Sequence, residues 1–170
     1  RLCTATAAEA LKESFGCDGQ PGSYTDVDHA DVIALYGHNV AETQAVLWMR
    51  MLDRLAGPNP PRIVCVDPRD TMVARVARDS GGVHLAPLPG TNVALMNGLL
   101  HEIVANGWVD QDYVDAHTVG FAEVAQRVQE YPPERAAQIC RLDAADIRAA
   151  ARVLGQAARL LSTVLQGFYQ

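Results

Sequence analysis

Four short apolar runs punctuate the chain, and each ends in a turn rich in glycine and polar residues. The first, residues 32–36, is continuous rather than alternating, as expected for a parallel strand covered on both faces. It gives way to Gly37-His38-Asn39 and then to an amphipathic segment over residues 41–55. A helix there is expected to place Val46, Trp48, Met49, Leu52 and Leu55 on one broad apolar face. Gly57-Pro58-Asn59-Pro60-Pro61 ends that helix and forces a turn. The second run, residues 62–66, ends in Asp67-Pro68-Arg69, and a helix over 71–78 follows, stopped by Gly81-Gly82. The third run, near 83–86, passes through Pro87-Leu88-Pro89-Gly90-Thr91-Asn92 into a helix over 92–106, with Gly107 as its C′ residue.

Shorter helices are expected over 110–116, 121–129 and 133–139, and Asp143 caps another over 144–157. The fourth run, residues 160–165, ends in Gln166-Gly167. Ahead of all this, residues 4–14 carry a helical pattern that Gly16 terminates. Strands alternating with helices predict an α/β domain: a Rossmann-like three-layer αβα fold with a mostly parallel sheet.

A chain of 170 residues suits one domain and can bury a core without staples. The net charge of −6 argues against a nucleic-acid partner. No apolar run approaches the roughly 20 residues of a membrane-spanning helix, and no signal-peptide pattern is present. The chain starts on Arg1-Leu2-Cys3 without Met and stops on Gln170 soon after an apolar run, so a piece of a larger protein is expected. The four cysteines form no C-x-x-C pair. Cys17, Cys65 and Cys140 read as reduced, partly buried thiols, which points to a cytoplasmic protein. Asp26, Asp28 and Asp31 read as a solvated acidic turn rather than a metal site.

The chemistry concentrates at the strand ends. After the first strand come Gly37, His38, Asn39, Glu42 and Thr43; after the second, Asp67 and Arg69; after the third, Gly90, Thr91 and Asn92; after the fourth, Gly167 and Gln170. Glycine lets a backbone N–H approach a phosphate, and a helix N-terminus stabilises the anion. A carboxylate at a strand end suits a pair of ribose hydroxyls, and an arginine grips phosphate or stacks on a base. Ordinary αβ turns use the same residues, but four at one sheet edge favour a nucleotide-like ligand. The G-x-G-x-x-G fingerprint of a simple NAD site is absent. The five histidines show no metal-ligand spacing and read as structural, although His38 lies in the first loop.

The order and wording of these loops resemble a known family. Ala30-Asp31-Val32, Gly37-His38-Asn39-Val40-Ala41-Glu42-Thr43, Val66-Asp67-Pro68-Arg69, Pro89-Gly90-Thr91-Asn92-Val93-Ala94-Leu95, Trp108-Val109-Asp110 and Gly120-Phe121 resemble the molybdopterin oxidoreductases that carry two molybdopterin guanine dinucleotides. The nearest branches are the nitrate reductases and the formate dehydrogenases. The resemblance implies that Gly37, Asn39, Glu42 and Thr43 face one guanine dinucleotide. It also implies that Asp67 and Arg69 recognise its ribose and base, that Gly90 and Asn92 complete the pocket, and that Gly167 and Gln170 meet the pterin system. Cys3 falls where these branches place the cysteine or selenocysteine that ligates molybdenum or tungsten, a suitable role for a soft thiolate. Thr4 follows it, where formate dehydrogenases usually carry His and nitrate reductases commonly Met. The implied parent is a catalytic subunit reducing nitrate to nitrite or, as the rival, oxidising formate. Its iron–sulfur cluster, remaining domains and electron-transfer partner would lie outside these residues. A non-catalytic nucleotide-binding module is the rival from another class.

Overall fold

In a computed structural model that describes residues 4–169, β1 (Val32–Tyr36) lies between β2 (Arg62–Val66) and β4 (Leu160–Val164), and β3 (Val83–Leu85) lies outside β2. All pairings are parallel; Ala34 is level with Val64 on one side and Ser162 on the other. The helices are α1 (Ala5–Phe15), α2 (Val40–Thr43), α3 (Ala45–Ala56), α4 (Met72–Asp79), α5 (Asn92–Ala105), α6 (Gln111–His117), α7 (Phe121–Val128), α8 (Pro133–Cys140), α9 (Ala144–Gly155) and α10 (Gln166–Tyr169).

The pleat of the central strands sorts the core into two layers. Ile33, Leu35, Ile63 and Cys65 point to one face, where Trp48 and Met51 of α3 and Val73, Ala74 and Ala77 of α4 cover them. Val32, Ala34, Val64 and Val66 point to the other, under Leu95 and Leu99 of α5, Ala136 of α8, and Ile147 and Ala150 of α9. Every β1 residue is buried, which is why its sequence is apolar without alternation. The close approach of α5 to α8 depends on Gly98, where an added Cβ would lie 2.6 Å from the Ala136 Cβ. The expected three-layer αβα fold is the observed one.

One predicted helix divides. The segment over 41–55 is interrupted at Gln44 (φ −142°, ψ 64°), leaving the single turn of α2 ahead of α3. The apolar face of α3 is also narrower than expected. Val46 is 87% exposed and Met49 56%, whereas Met51 is fully buried. At about 100° per residue, Trp48, Met51, Leu52 and Leu55 form one stripe. Val46 lies on the opposite side of the helix and Met49 well round its flank. Hydrophobic identity marked both residues, but helical phase puts them outside.

The acidic turn is not one cluster. Asp26 accepts the Ser23 N–H in a capping box at 2.7 Å. Asp28 pairs with Arg50 on α3. Asp31 accepts the Ala158 and Arg159 N–H groups at 3.0 and 2.8 Å, and so ties the start of β4 beside β1. Desolvation pushes the Asp31 pKa up, but the N–H groups of Arg159 and Ala158 outweigh it and hold the carboxyl below its ordinary value. A depressed folded-state pKa contributes stability above the unfolded value of 3.8, and that contribution is lost as pH falls through the folded value. The group is exposed, so solvent screening keeps the effect modest. Asp31→Ala is expected to lower the melting temperature by about 3 °C at neutral pH. The gap to wild type should narrow as pH drops below 3.8 in scanning fluorimetry.

Candidate functional site

The chain runs from β1 to β2 to β3 in one direction across the sheet, and β4 then joins on the opposite side of β1. The strand order therefore reverses between β1 and β4. In open α/β sheets the ligand crevice lies outside the carboxyl ends of the strands at such a point. The same two strand ends carry Gly37 and Gly167.

Gly37 donates its N–H to Val66 O at 2.8 Å, and Leu165 N donates back to Tyr36 O at 3.2 Å, so the end of β1 is tied to both neighbours. Gly37 has φ +57°, and a Cβ there would lie 2.6 Å from Phe168 N and 2.8 Å from the Gly167 carbonyl carbon. Both the backbone conformation and the space require glycine. Asn92, the first residue of α5, donates its Nδ2 to Phe168 O at 2.7 Å. Gly37, Asn92 and Gly167 are thus brought into one junction, with the Tyr36 and Phe168 rings 5.5 Å apart beside it.

Asn39 is the centre of a tight turn. Val40 N donates to His38 O at 2.9 Å, and Asn39 has φ −79° and ψ 68°, the geometry of an inverse γ-turn. Its carbonyl accepts from Glu42 N, Thr43 N and Thr43 Oγ1 at 3.0–3.1 Å. The residue is only 6% exposed, and its Oδ1 is buried without a hydrogen-bond donor among the described residues. Such an acceptor costs about 1–3 kcal/mol. Glu42 and Thr43 are exposed on α2, and the Thr43 hydroxyl proton is committed to Asn39.

Asp67, at the end of β2, is 4% exposed and accepts the Arg69 N–H at 2.9 Å, an Asx-turn that fixes the Asp67-Pro68-Arg69 bend. The Arg69 Nε lies 3.4 Å from the same carboxylate oxygen, while the rest of its side chain extends into solvent. Three residues that sequence reasoning passed over support this bend. His84 Nε2 donates to Asp67 O at 2.9 Å, Arg78 Nη1 donates to His84 Nδ1 at 2.9 Å, and Arg78 Nη2 donates to Asp70 at 2.6 Å. Arg78 and then Arg75 hold the Asp70 carboxyl below its ordinary value. Gly90 (φ +87°) stands in the turn that Thr91 N closes onto Leu88 O at 3.2 Å. A type II turn requires positive φ at this position and favours Pro before it, where Pro89 stands. A Cβ built at Gly90 meets nothing within 4 Å among the described residues, so the position faces open space. Cys3 and Gln170 lie outside the described residues.

Of the remaining cysteines, Cys140 supports the third loop, with its Sγ 3.6 Å from Thr91 O. Cys17 is exposed, which the reading of a partly buried thiol did not anticipate. Cys65 and Cys140 are buried; burial pushes the Cys65 thiol up to about 12, and Cys140 rises for the same reason. No group of three or more potential metal-ligating side chains occurs among the described residues. An apolar groove of about 230 Å³ beside β4, lined by Tyr36, Leu100, Leu154 and Leu160, lacks the convergent polar groups found at the strand ends.

Comparison with known proteins decides the family. The family model described as "Molybdopterin oxidoreductase" matches residues 1–163. The chain belongs to the molybdopterin oxidoreductase family. Among relatives, a nitrate reductase of Synechocystis sp. is 33% identical over 170 residues, covering all of this chain and 23% of its own length. A nitrate reductase of Shewanella frigidimarina is 39% identical over 130 residues, 76% of this chain and 13% of its own. Formate dehydrogenase H of Escherichia coli is 30% identical over 157 residues, 92% of this chain and 21% of its own. Among solved structures, acetylene hydratase from Pelobacter acetylenicus superposes with a TM-score of 0.73 at 28% identity, over 85% of this chain and 19% of its own. This molybdopterin oxidoreductase segment therefore spans less than a quarter of the length of the curated relatives it matches.

The two positive-φ glycines of the site separate conformational strain from close packing. Gly90→Ala faces open space and is expected to cost about 1 kcal/mol. Gly37→Ala adds a collision with backbone and is expected to cost about 3 kcal/mol. Chemical denaturation of both variants checks the order.

Proposed function

We propose that the strand-end crevice binds a molybdopterin guanine dinucleotide and that the whole enzyme reduces nitrate to nitrite. The observation that carries this is the buried, unpartnered Asn39 Oδ1 at the β1 end of the topological switch. A nucleotide supplies the missing donor through ring N–H or hydroxyl groups. The Asp67 carboxylate, held in its Asx-turn, suits the ribose hydroxyls, and the exposed guanidinium of Arg69 suits the base or a phosphate. The Gly37–Gly167 junction keeps the backbone close and leaves a smooth floor. Glu42, Thr43, Gly90 and Asn92 border the same edge, and Gln170 follows Gly167 in sequence.

When bound, the cofactor supplies two-electron redox chemistry at molybdenum or tungsten. The chain's own contribution at the metal is Cys3, a soft, anionic ligand on the family reading. Electrons are assigned to an iron–sulfur cluster elsewhere in the enzyme and to an electron-transfer partner. Reducing nitrate to nitrite consumes two electrons and two protons and releases water. Oxidising formate to carbon dioxide instead yields two electrons and releases one proton, which a nearby base would take up. Thr4, next to the proposed ligand, cannot serve as an acid–base group near neutral pH as a histidine can. That favours nitrate. The formate reading is kept because formate dehydrogenases of several organisms match at 29–31% identity.

The 170-residue chain alone is expected to turn over neither substrate with a viologen dye, because it supplies one crevice of a larger active site. The longer enzyme is expected to have the higher kcat/KM for nitrate. A higher value for formate would overturn the substrate and leave the crevice standing. Cys3→Ala in the longer enzyme is expected to abolish turnover with the fold retained. Metal content and activity measured on the same sample check it, and wild-type turnover would remove Cys3 from the site.

A further inference from the structure

His38 follows Gly37 and reaches across to β4, and the residue is 5% exposed. Both nitrogens are engaged. Nε2 lies 3.0 Å from Gln44 Oε1, and Nδ1 lies 2.7 Å from Thr163 Oγ1 on β4. An amide oxygen only accepts, so Nε2 carries a proton; in the neutral ring Nδ1 then accepts the Thr163 hydroxyl. Burial acts in the same sense and holds the imidazole below its ordinary pKa, although the Gln44 bond opposes this.

The three residues so joined are informative. Thr163 is in the strand across the topological switch, 125 positions away, and Gln44 is the residue at which the helix after β1 breaks. Gln is a good helix former and has no local reason to leave helical geometry. Its bond to His38 supplies one. Between His38 and the break lies Asn39, whose side-chain oxygen is buried without a donor. An unsatisfied acceptor of that kind relaxes toward water unless its surroundings hold it.

We propose that His38 is a positioning residue: its two ring nitrogens strut the Gly37–Asn39 turn between β4 and the helix break, and so preorganise Asn39 for the guanine nucleotide. The inference rests on the cofactor reading above. Preorganisation of this kind increases affinity by lowering the ordering cost of binding. Without the strut, Asn39 is free to turn to solvent and the break at Gln44 is free to close into continuous helix.

The test is calorimetric titration of the 170-residue chain with guanosine diphosphate, alongside melting temperatures. Thr163→Val is nearly isosteric and puts the fold at little risk. It is expected to weaken binding roughly five- to tenfold with a small change in melting temperature. His38→Leu is expected to weaken binding at least as much, and adding Thr163→Val to it should cause no further loss, because the strut is already gone. His38→Gln, which can still donate to Gln44 Oε1, is expected to recover part of the affinity. Nitrogen-15 shifts of the wild-type ring should report a neutral Nε2–H tautomer. If the wild-type chain binds the nucleotide and Thr163→Val and His38→Leu bind as tightly, His38 is a core residue only and the inference fails alone. If the wild-type chain binds no guanosine diphosphate, the cofactor reading fails and takes the inference with it.

Discussion

The close approach of β1 to the loop after β4 governs the molecule. Gly37 meets the backbone of Gly167 and Phe168 at distances no side chain tolerates. That contact fixes β4 on the far side of β1 from β2, and so makes the switch in strand order. The Asp31 carboxylate performs the matching task at the opposite end, gripping the two N–H groups that open β4. With β4 secured at both ends, its own side chains need not carry the burden. Leu160 and Val164 remain 46% and 43% exposed on an edge strand, while β1 and β2 hold the core.

From that constraint the polar architecture follows. Strand ends packed this closely leave backbone groups to satisfy, and each loop does so with local side chains. Asp67 takes the N–H of Arg69, Thr71 caps α4 through the Ala74 N–H, and Thr43 returns a hydroxyl to Asn39 O. His84 extends the support from β3 across to the carbonyl of Asp67, with Arg78 fixing its tautomer. These contacts rigidify the loops without filling the crevice. The acceptor of Asn39 is the exception, and an exception at the switch point is where a ligand is expected.

Much of this was legible in the sequence, and the reasons are local. Continuous apolar runs announced parallel strands, and Asp143 caps α9 as expected, while Thr71 and Asp110, placed by the sequence inside their helices, prove to be the caps of α4 and α6. Gly16 and Gly107 adopt positive φ just beyond their helices, as that position favours. That the candidate residues stand at strand ends was legible for the same reason, since turn chemistry is written in adjacent positions. What failed was non-local. Nothing in the pattern near Gln44 marks a break; its side chain meets the His38 ring, which also reaches Thr163 on a strand 125 positions away. The His84–Asp67 bond was equally hidden, since it joins adjacent strands through a side chain that looked structural. Val46 and Met49 misled because hydrophobicity was counted without its phase.

Family membership and local geometry answer different questions here. Relatives that match this chain are named for nitrate reduction, formate oxidation and acetylene hydration, so the shared fold does not select a reaction. What the reactions can share is a rigid platform that holds a cofactor the same way while chemistry varies around it. The contacts found here suit such a platform: backbone junctions, Asx-turns and caps, almost none of which depends on the substrate. On the proposed reading of Cys3 as a metal ligand, substrate choice would then fall to residues beside it, Thr4 among them. A buried histidine with both nitrogens committed belongs to the platform rather than to the chemistry. That is consistent with its burial and with a neutral ring, since a proton-transfer group needs a free nitrogen and a reachable substrate.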